Sequence, residues 1–549
     1  MMQKKEKAMH IASFLHSFSD TLRGDYKRSD FGKIILPFTL LRRLEYICNN
    51  SELNLKLCMV DSKVRLLSYI QSLPSDIQDI FHQFEFDRQI EKLANLNLLS
   101  LMIEKFADAD LNPLHVSNAD MGLIFEELIR QFAEDSKETA GEHYTPREVI
   151  RLLVDLLFFD DQGKGDTRSI YDPTAGTGGM LSVAEDYLRE HRPNIKLVIH
   201  SQELNGESYA ICKSDMLIKG HDTSLIKFGN TLSNDQHANA KFDYSISNPP
   251  YGVEWKKIEK EIRLEHETQG FNGRFGAGLP RVSDGSLLFL QHLISKMKAP
   301  EEGGGRIAIV LSSSPLYTGG AGSGESDIRK YIFENDLLEA IIALPSDIFY
   351  NTGISTYVWI LTNRKRVERK DKVQLINAVD MYVKMRKSLG SKRNELSQEN
   401  IDTIMELYRD FKEAKNSKIF KNTFFGYSTI TVEQPLKDEQ GNDVLITKGK
   451  AKGSIQPDIN LRDTENIPLD EDIDEYFNRE VLPHAPSSWI DRERTKVGYE
   501  ISFTKHFYEH KQPRSLHDIT KEMKQLHKEI NECMADLFGL LDDIVDDEE

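Results

Sequence analysis

Cysteine is scarce in this chain, and what there is stands apart. Cys48, Cys58, Cys212 and Cys533 form no Cys-x-x-Cys pair, which argues against a zinc ribbon or a disulfide framework and fits a reducing cytoplasm. Long apolar runs are missing as well. No stretch of about 18 apolar residues occurs, so a membrane span is not expected. The opening Met1–Lys7 is basic but lacks the apolar core and cleavage site of a secretory signal, and a cytoplasmic protein is expected. Positive charge is in deficit, with 70 Lys and Arg against 88 Asp and Glu and a formal net charge of −18. Such a chain repels a phosphate backbone on average. Work on nucleic acid would need a locally basic face or a partner that carries much of the binding, and the second is favoured.

What is present fits two or three domains. The 549 residues are 39% hydrophobic and 29% charged, enough for substantial cores. Residues 1–135 read as a helical N-terminal domain, with Ile11, Phe14, Leu15 and Phe18 and then Ile34, Ile35, Phe38, Leu41 and Leu44 at helical spacing. A small, polar stretch at 133–141 looks like a linker. Residues 136–370 alternate strand-like runs with helical patterns. The runs are Ser169–Asp172, Lys196–Ser201, Phe242–Ser247, Arg306–Ser312, Leu338–Pro345 and Ser355–Thr362, and they predict an α/β domain with a largely parallel sheet. Gly319–Gly324 reads as a mobile surface loop, or as a lid or a DNA-contacting loop. Residues 371–549 form a mixed, helical C-terminal region. Near 515–541, Ile519, Met523, Leu526, Ile530, Cys533, Leu537 and Leu540 follow a heptad, which suits either a partner-binding helix or burial against its own domain.

The most informative residues are Asn248-Pro249-Pro250-Tyr251, directly after a strand-like run. Two prolines cannot continue a sheet ladder, so the strand ends in a rigid loop. That loop offers an amide oxygen, a main-chain carbonyl and a flat ring. Two acceptors can take both hydrogens of an exocyclic amine and draw its lone pair out of conjugation, while Tyr251 stacks on the ring. The N6 of an extruded adenine suits this arrangement. No cysteine follows a proline, so the nucleophile of cytosine-C5 methylation is missing.

Upstream, Asp172-Pro173-Thr174-Ala175-Gly176-Thr177-Gly178-Gly179 is a glycine-rich turn between a strand and a helix, suited to close approach of a ligand. It lacks the Gly-Lys-Ser/Thr of a phosphate loop. The next strand ends at Gln202-Glu203, where a carboxylate can hold a ribose diol. Thr145, Pro146 and Glu148 read as N-cap, N1 and N3 of a capping box.

In this order the elements resemble the N6-adenine DNA methyltransferases that use S-adenosylmethionine, and in particular the modification subunit of type I restriction-modification systems. Asp20–Gly24 and Ile35–Leu44 resemble the helical domain of those subunits, and Gly141–Pro146 their Gly-x-x-Tyr-Thr-Pro element. Leu482–His484, Trp489–Asp491 and Lys496–Ile501 resemble their C-terminal block. The cofactor turn precedes the catalytic loop, which is the gamma arrangement. The resemblance implies a Rossmann-like class I methyltransferase domain. It implies catalysis by Asn248, Pro249, Pro250 and Tyr251, and no metal. Cofactor binding falls to Tyr144, Thr145, Pro146, Asp172, Thr174, Gly176, Thr177, Gly178, Glu203, Asn230, Thr231 and Leu232. Asn230 stands where the family often has Asp, and its carbonyl is expected to accept from the cofactor's adenine amino group. The implied partners are double-stranded DNA with the target adenine flipped out, a specificity subunit, a second modification subunit and, where a nuclease joins, a restriction subunit. The rival readings are transfer to another amine, in protein or RNA, a non-catalytic scaffold, and a free-standing enzyme.

Overall fold

Strands buried on both faces need apolar residues at every position rather than in alternation, and the centre of this fold is built from such runs. In the computed structural model every residue of Arg306–Ser312, Leu338–Ala343 and Thr356–Thr362 is buried. The structure describes residues 2–47, 54–59, 61–135, 145–161, 165–350, 352–449, 451–508 and 515–546. The chain divides into two units, Met1–Phe503 and Thr504–Glu549.

Fourteen strands are described: β1 (Thr167–Asp172), β2 (Lys196–Glu203), β3 (Ile226–Phe228), β4 (Tyr244–Ser247), β5 (Arg306–Ser312), β6 (Leu338–Ala343), β7 (Thr356–Thr362), β8 (Lys372–Asn377), β9 (Val383–Leu389), β10 (Lys392–Glu395), β11 (Ser417–Lys421), β12 (Gly426–Glu433), β13 (Asp463–Pro468) and β14 (Trp489–Tyr499). Nine of them make one sheet in the order β11-β8-β6-β7-β5-β4-β1-β2-β3. The pairs from β3 through β5 are parallel. β7 runs antiparallel between β5 and β6, β8 returns parallel to β6, and β11 closes the far edge antiparallel. The expected α/β architecture is therefore present. The sheet also takes in β8 and β11, from the segment beyond residue 370.

The strand order reverses at β1. From there the chain builds outward to β2 and β3 on one side and to β4 and β5 on the other, leaving a crevice above the carboxyl ends of β1 and β4. Helix Gly206–Lys219 covers the β2 side and is buried around most of its circumference. Tyr209, Cys212 and Met216 join the sheet core, while Ala210, Ile211 and Ile218 join the core of the N-terminal helices. Those helices form as the periodicity predicts. Gly32–Ile47 runs through the middle of its layer with nearly every residue from Gly32 to Leu44 buried, as a helix apolar on all sides must be. Buried Arg43 donates to the carbonyls of Leu111 and Val116 at 2.7 and 2.8 Å, holding the connection that follows.

The C-terminal region contributes more strand than its sequence shows. β12 sits between β13 and β14 in a three-stranded antiparallel sheet. Its C-terminal partner β14 also anchors the glycine-rich loop. Arg329, fully buried, donates to the carbonyls of Pro315, Thr318, Gly319 and Tyr499 at 3.0, 2.9, 2.8 and 2.6 Å. Gly498 leaves room for Ala321, whose Cα would lie 2.9 Å from any added Cβ. Gly319–Gly324 is thus packed against β14 rather than free. The reason, a buried cation capping four carbonyls, is invisible in the loop's own composition. Burial lowers the Arg329 guanidinium to about 10.

The second unit holds helix Leu516–Asp546. Ile519, Met523, Leu526 and Ile530 are all exposed; Leu537 and Leu540 have side chains outside the described residues. Among the described residues no helix is long and apolar enough to cross a membrane.

Replacing Arg329 with Met should strand those buried carbonyls, at a cost on the order of 3 kcal/mol. Chemical denaturation should show the loss, and limited proteolysis should open the chain between residues 315 and 324.

Candidate active site

Five chain segments meet at the crevice above β1 and β4 and enclose a cavity of about 920 Å³. The first is the turn after β1. Gly176 and Gly178 both take positive φ, +55° and +84°, which side-chain-bearing residues rarely adopt. At Gly178 a Cβ would also lie 2.8 Å from Cys212 Sγ. The turn therefore presses onto helix Gly206–Lys219, and helix Gly179–His191 leaves from it.

The second segment is the end of β2. Glu203 Oε2 accepts from the Gly176 amide at 2.8 Å and Oε1 accepts from the Asn205 amide at 2.7 Å. An ionised carboxylate has about four acceptor positions, so two stay available toward the cavity. The third segment follows β3. Thr231 Oγ1 donates to the Pro173 carbonyl at 2.6 Å, tying this loop to the first turn. Buried Gln202 holds it from below by donating to the Asn234 carbonyl at 2.8 Å.

The fourth segment is Asn248–Tyr251, released from β4. Asn248 Nδ2 donates to Thr145 Oγ1 at 2.9 Å, and the Tyr251 hydroxyl donates to Asn248 Oδ1 at 2.5 Å. The Tyr251 ring leans against the sheet core, edge-on to Phe349 with centroids 6.4 Å apart. The fifth segment is Thr145 with helix Arg147–Phe158, joined to the N-terminal helices by Arg147 Nε donating to Glu126 Oε1 at 2.8 Å.

The cavity wall thus gathers Thr145, Thr174, Gly176, Thr177, Glu203, Asn230, Thr231, Leu232 and all of Asn248–Tyr251. Three expected residues lie behind the wall. Gly178 packs onto Cys212, and Pro146 occupies the position before the helix. Asp172 is fully buried beneath the turn, where its Oδ1 accepts from the Thr174 amide at 3.0 Å. Tyr144 lies outside the described residues.

Two sequence readings need correction. Thr145 does not cap the helix: Arg147–Phe158 begins one residue later than expected, with Pro146, which has no side-chain acceptor, in the cap position, and the Thr145 hydroxyl meets Asn248 instead. Asn230 does not offer its carbonyl to the cavity, because Oδ1 already accepts from the amides of Leu232 and Ser233 at 2.9 and 3.4 Å. The short loop after β3 lacks enough internal partners, and the side chain closes it.

Val253, Trp255, Phe289, Phe349 and Ile354 also line the cavity, and sequence reasoning missed them. Only the fold brings the connection after β6 to Tyr251. Trp255 had a local signal in hindsight, an aromatic four residues past the tetrapeptide. It is buried with Leu232, Ile262, Phe275 and Leu288 in a small core that backs the cavity.

A doubly wound sheet with a glycine turn, a strand-end carboxylate and an Asn-Pro-Pro-Tyr loop around one cavity is the architecture of a methyltransferase. The chain belongs to the N-6 DNA methylase family, whose profile matches residues 116–429, in the branch of type I restriction-modification methylase subunits. The HsdM N-terminal domain profile matches residues 11–57. The MjaIX type I methylase subunit of Methanocaldococcus jannaschii is 26% identical, over 76% of this chain and 68% of its own length. The HindI methylase subunit of Haemophilus influenzae is 24% identical, over 71% and 81%. Among solved structures, the type I methyltransferase subunit of Streptococcus thermophilus superposes with a TM-score of 0.60 at 22% identity, covering 76% of this chain and 96% of that one. A type I complex structure covers 97% and 98% at a TM-score of 0.54 and 18% identity.

Burial, aided by the nearby Glu203 carboxylate and opposed by the Thr174 hydrogen bonds, pushes the Asp172 carboxyl from 3.8 up to about 8. Its Oδ2 is buried and has no hydrogen-bond partner among the described residues. Between those two values the folded protein holds a proton that the unfolded chain has lost, so this group's contribution to stability falls as pH rises through the window. The Asp172→Asn variant should gain melting temperature relative to wild type steadily from about pH 4 to about pH 8 and no further above it. Thermal melts across that range check this.

Proposed function

We propose that the chain transfers methyl from S-adenosylmethionine to adenine N6 in DNA, with Asn248, Pro249, Pro250 and Tyr251 as the catalytic loop. The observation that carries the proposal is the convergence of this loop, the glycine turn and Glu203 on one cavity. The residues present fit the cofactor. Gly176 and its positive-φ turn give a side-chain-free approach, Glu203 keeps acceptor capacity for a diol, and Thr174, Thr177, Thr231 and Leu232 complete the wall. Asn230 contributes by closing the loop after β3 through its Oδ1, and its amide nitrogen is a donor on the cavity wall. Asp172 and Gly178 support the turn from behind, and Pro146 stands just before helix Arg147–Phe158.

S-adenosylmethionine, when bound, supplies an electrophilic methyl group. The chain's own residues do the rest. Asn248 Oδ1 and the Pro249 carbonyl accept the two N6 hydrogens and stabilise positive charge as it grows on nitrogen. The Tyr251 ring stacks on the flipped base, whose extrusion costs a few kcal/mol. The Tyr251 hydroxyl now occupies Oδ1, so the base must take its place, and the ring, not the hydroxyl, matters for turnover.

The acidic chain leaves sequence reading to a specificity subunit. Helix Leu516–Asp546, with its exposed heptad stripe of Ile519, Met523, Leu526 and Ile530, offers a surface for such a partner. A second modification subunit and a restriction subunit would complete the assembly.

Labelled methyl from S-adenosylmethionine, followed with and without a co-expressed specificity subunit, tests the proposal. Label should appear on adenine N6 only with the partner. Asn248→Ala should reduce it at least ~100-fold, and Tyr251→Phe should stay within about tenfold of wild type while Tyr251→Ala does not. Bound cofactor without transfer to DNA in the complete complex would overturn the reading.

A further inference from the structure

An amide has two ends with opposite hydrogen-bonding character. A catalytic Asn serves an incoming amine only if its oxygen faces that amine. Turned over, it meets the two N–H donors of the base with two donors of its own. A hydroxyl can donate to an oxygen or accept from a nitrogen equally well. Neither the Tyr251 nor the Thr145 hydroxyl alone therefore dictates which end of the amide it meets; what two contacts on opposite ends do is hold the amide in place. Once the base displaces the Tyr251 hydroxyl, the amide depends on whatever holds its other end.

The other end is held by Thr145. Its Oγ1 accepts from Asn248 Nδ2 at 2.9 Å across 103 positions of sequence. Two further observations mark this contact as built. Thr145 stands one residue ahead of the cap position, which Pro146 occupies, and among the described residues its hydroxyl meets Asn248 rather than a helix amide. The helix is nevertheless firmly seated. Val149, Ile150, Leu152, Leu153, Leu156 and Leu157 are buried, and Glu148 pairs with the buried Lys392. Thr145 is therefore presented from a rigid support, while Asn248 sits on a loop.

We propose that Thr145 is a positioning residue for Asn248: its hydroxyl holds the side-chain amide in place at the cavity, in the arrangement of the structure, with Nδ2 on Thr145 and Oδ1 on the side where Tyr251 meets it. This rests on the methyltransferase reading above but gives Thr145 a different role from contact with the cofactor. Anchoring the Nδ2–H bond also polarises the amide, strengthening Oδ1 as an acceptor while charge builds on the amine. The contribution is therefore made in the transition state and belongs in kcat rather than in KM.

The test uses the complex with its specificity subunit and three variants. Thr145→Val keeps the shape and loses the hydroxyl, Thr145→Ser keeps the hydroxyl, and Thr145→Val is also placed in an Asn248→Ala background. Expected is a fall in kcat of roughly 10- to 100-fold for the Val variant, from loss of one preorganising hydrogen bond. Its KM for DNA, its calorimetric affinity for S-adenosylmethionine and its fluorescence signal from 2-aminopurine at the target position should stay within about threefold. The Ser variant should recover most of kcat, and in the Asn248→Ala background the Val substitution should cost nothing more. Wild-type kcat in the Val variant would overturn the proposal. So would a matching loss of cofactor affinity, which would make Thr145 a cofactor contact, or a full additional loss in the Asn248→Ala background. Absence of adenine methylation by the wild-type complex would instead count against the functional reading itself.

Discussion

The site depends on one pairing, the parallel alignment of β4 alongside β1. Only two residue pairs define it, Ile170 with Tyr244 and Tyr171 with Ser245, yet it joins segments more than seventy residues apart. Side chains secure it at both ends. Below, Asp243 Oδ2 accepts from the Ser169 amide and hydroxyl at 2.8 and 2.7 Å. Above, the hydroxyls of Thr174 and Ser247 meet at 2.8 Å. Parallel pairing puts both carboxyl ends on the same edge. The glycine turn and the Pro-rich loop then open side by side, and nothing else about either sequence would make them neighbours. A slip of one residue would invert the faces of β4 and aim the loop elsewhere.

From that edge the support spreads outward through shared elements. Helix Gly206–Lys219 serves two cores at once, closing the sheet with one face and receiving the N-terminal helices with the other. Asp79 of the N-terminal layer accepts from Tyr209 and Lys213 on that helix at 2.7 and 3.0 Å. Arg274 does the same job on the opposite wall. Its guanidinium, held by Glu265, donates to the carbonyls of Thr231 and Leu232, each at 2.8 Å. The segment between the Asn248–Tyr251 loop and β5 is thereby coupled to the loop after β3 on the cavity wall. The carbonyls of Thr231 and Leu232 are thus paired with a part-buried guanidinium rather than left to water.

Much of this was legible in the sequence, and the boundary of what was legible has a physical cause. Strands buried on both faces announce themselves as continuous apolar runs, so β5, β6 and β7 were found nearly residue for residue. Residues whose backbone demands are peculiar were also visible, as with Gly176 and the double proline after Asn248. β3 is three residues long, and β13 and β14 are laced with charges, so none of these stands out by composition. Side-chain commitments were the least legible. Thr145 reads as a cap and Asn230 as an open acceptor because each fits a local rule. What overrides the rule is, for Thr145, a helix start one residue later and a partner distant in sequence, and for Asn230 a loop too short to satisfy its own amides.

The same economy explains how an acidic chain can work on DNA. Chemistry at an exocyclic amine asks for acceptors, and acceptors are what an acidic protein has to spare: an amide oxygen, a main-chain carbonyl, a strand-end carboxylate. Affinity for the polyanion asks for cations, and here many of the cations are spent internally. Arg43, Arg306 and Arg329 are buried, and each holds main-chain carbonyls or a buried carboxylate together. A chain that uses its arginines to fix its own geometry has fewer to offer phosphates. That allocation is the physical ground for assigning grip on the duplex, in the proposed function, to a partner.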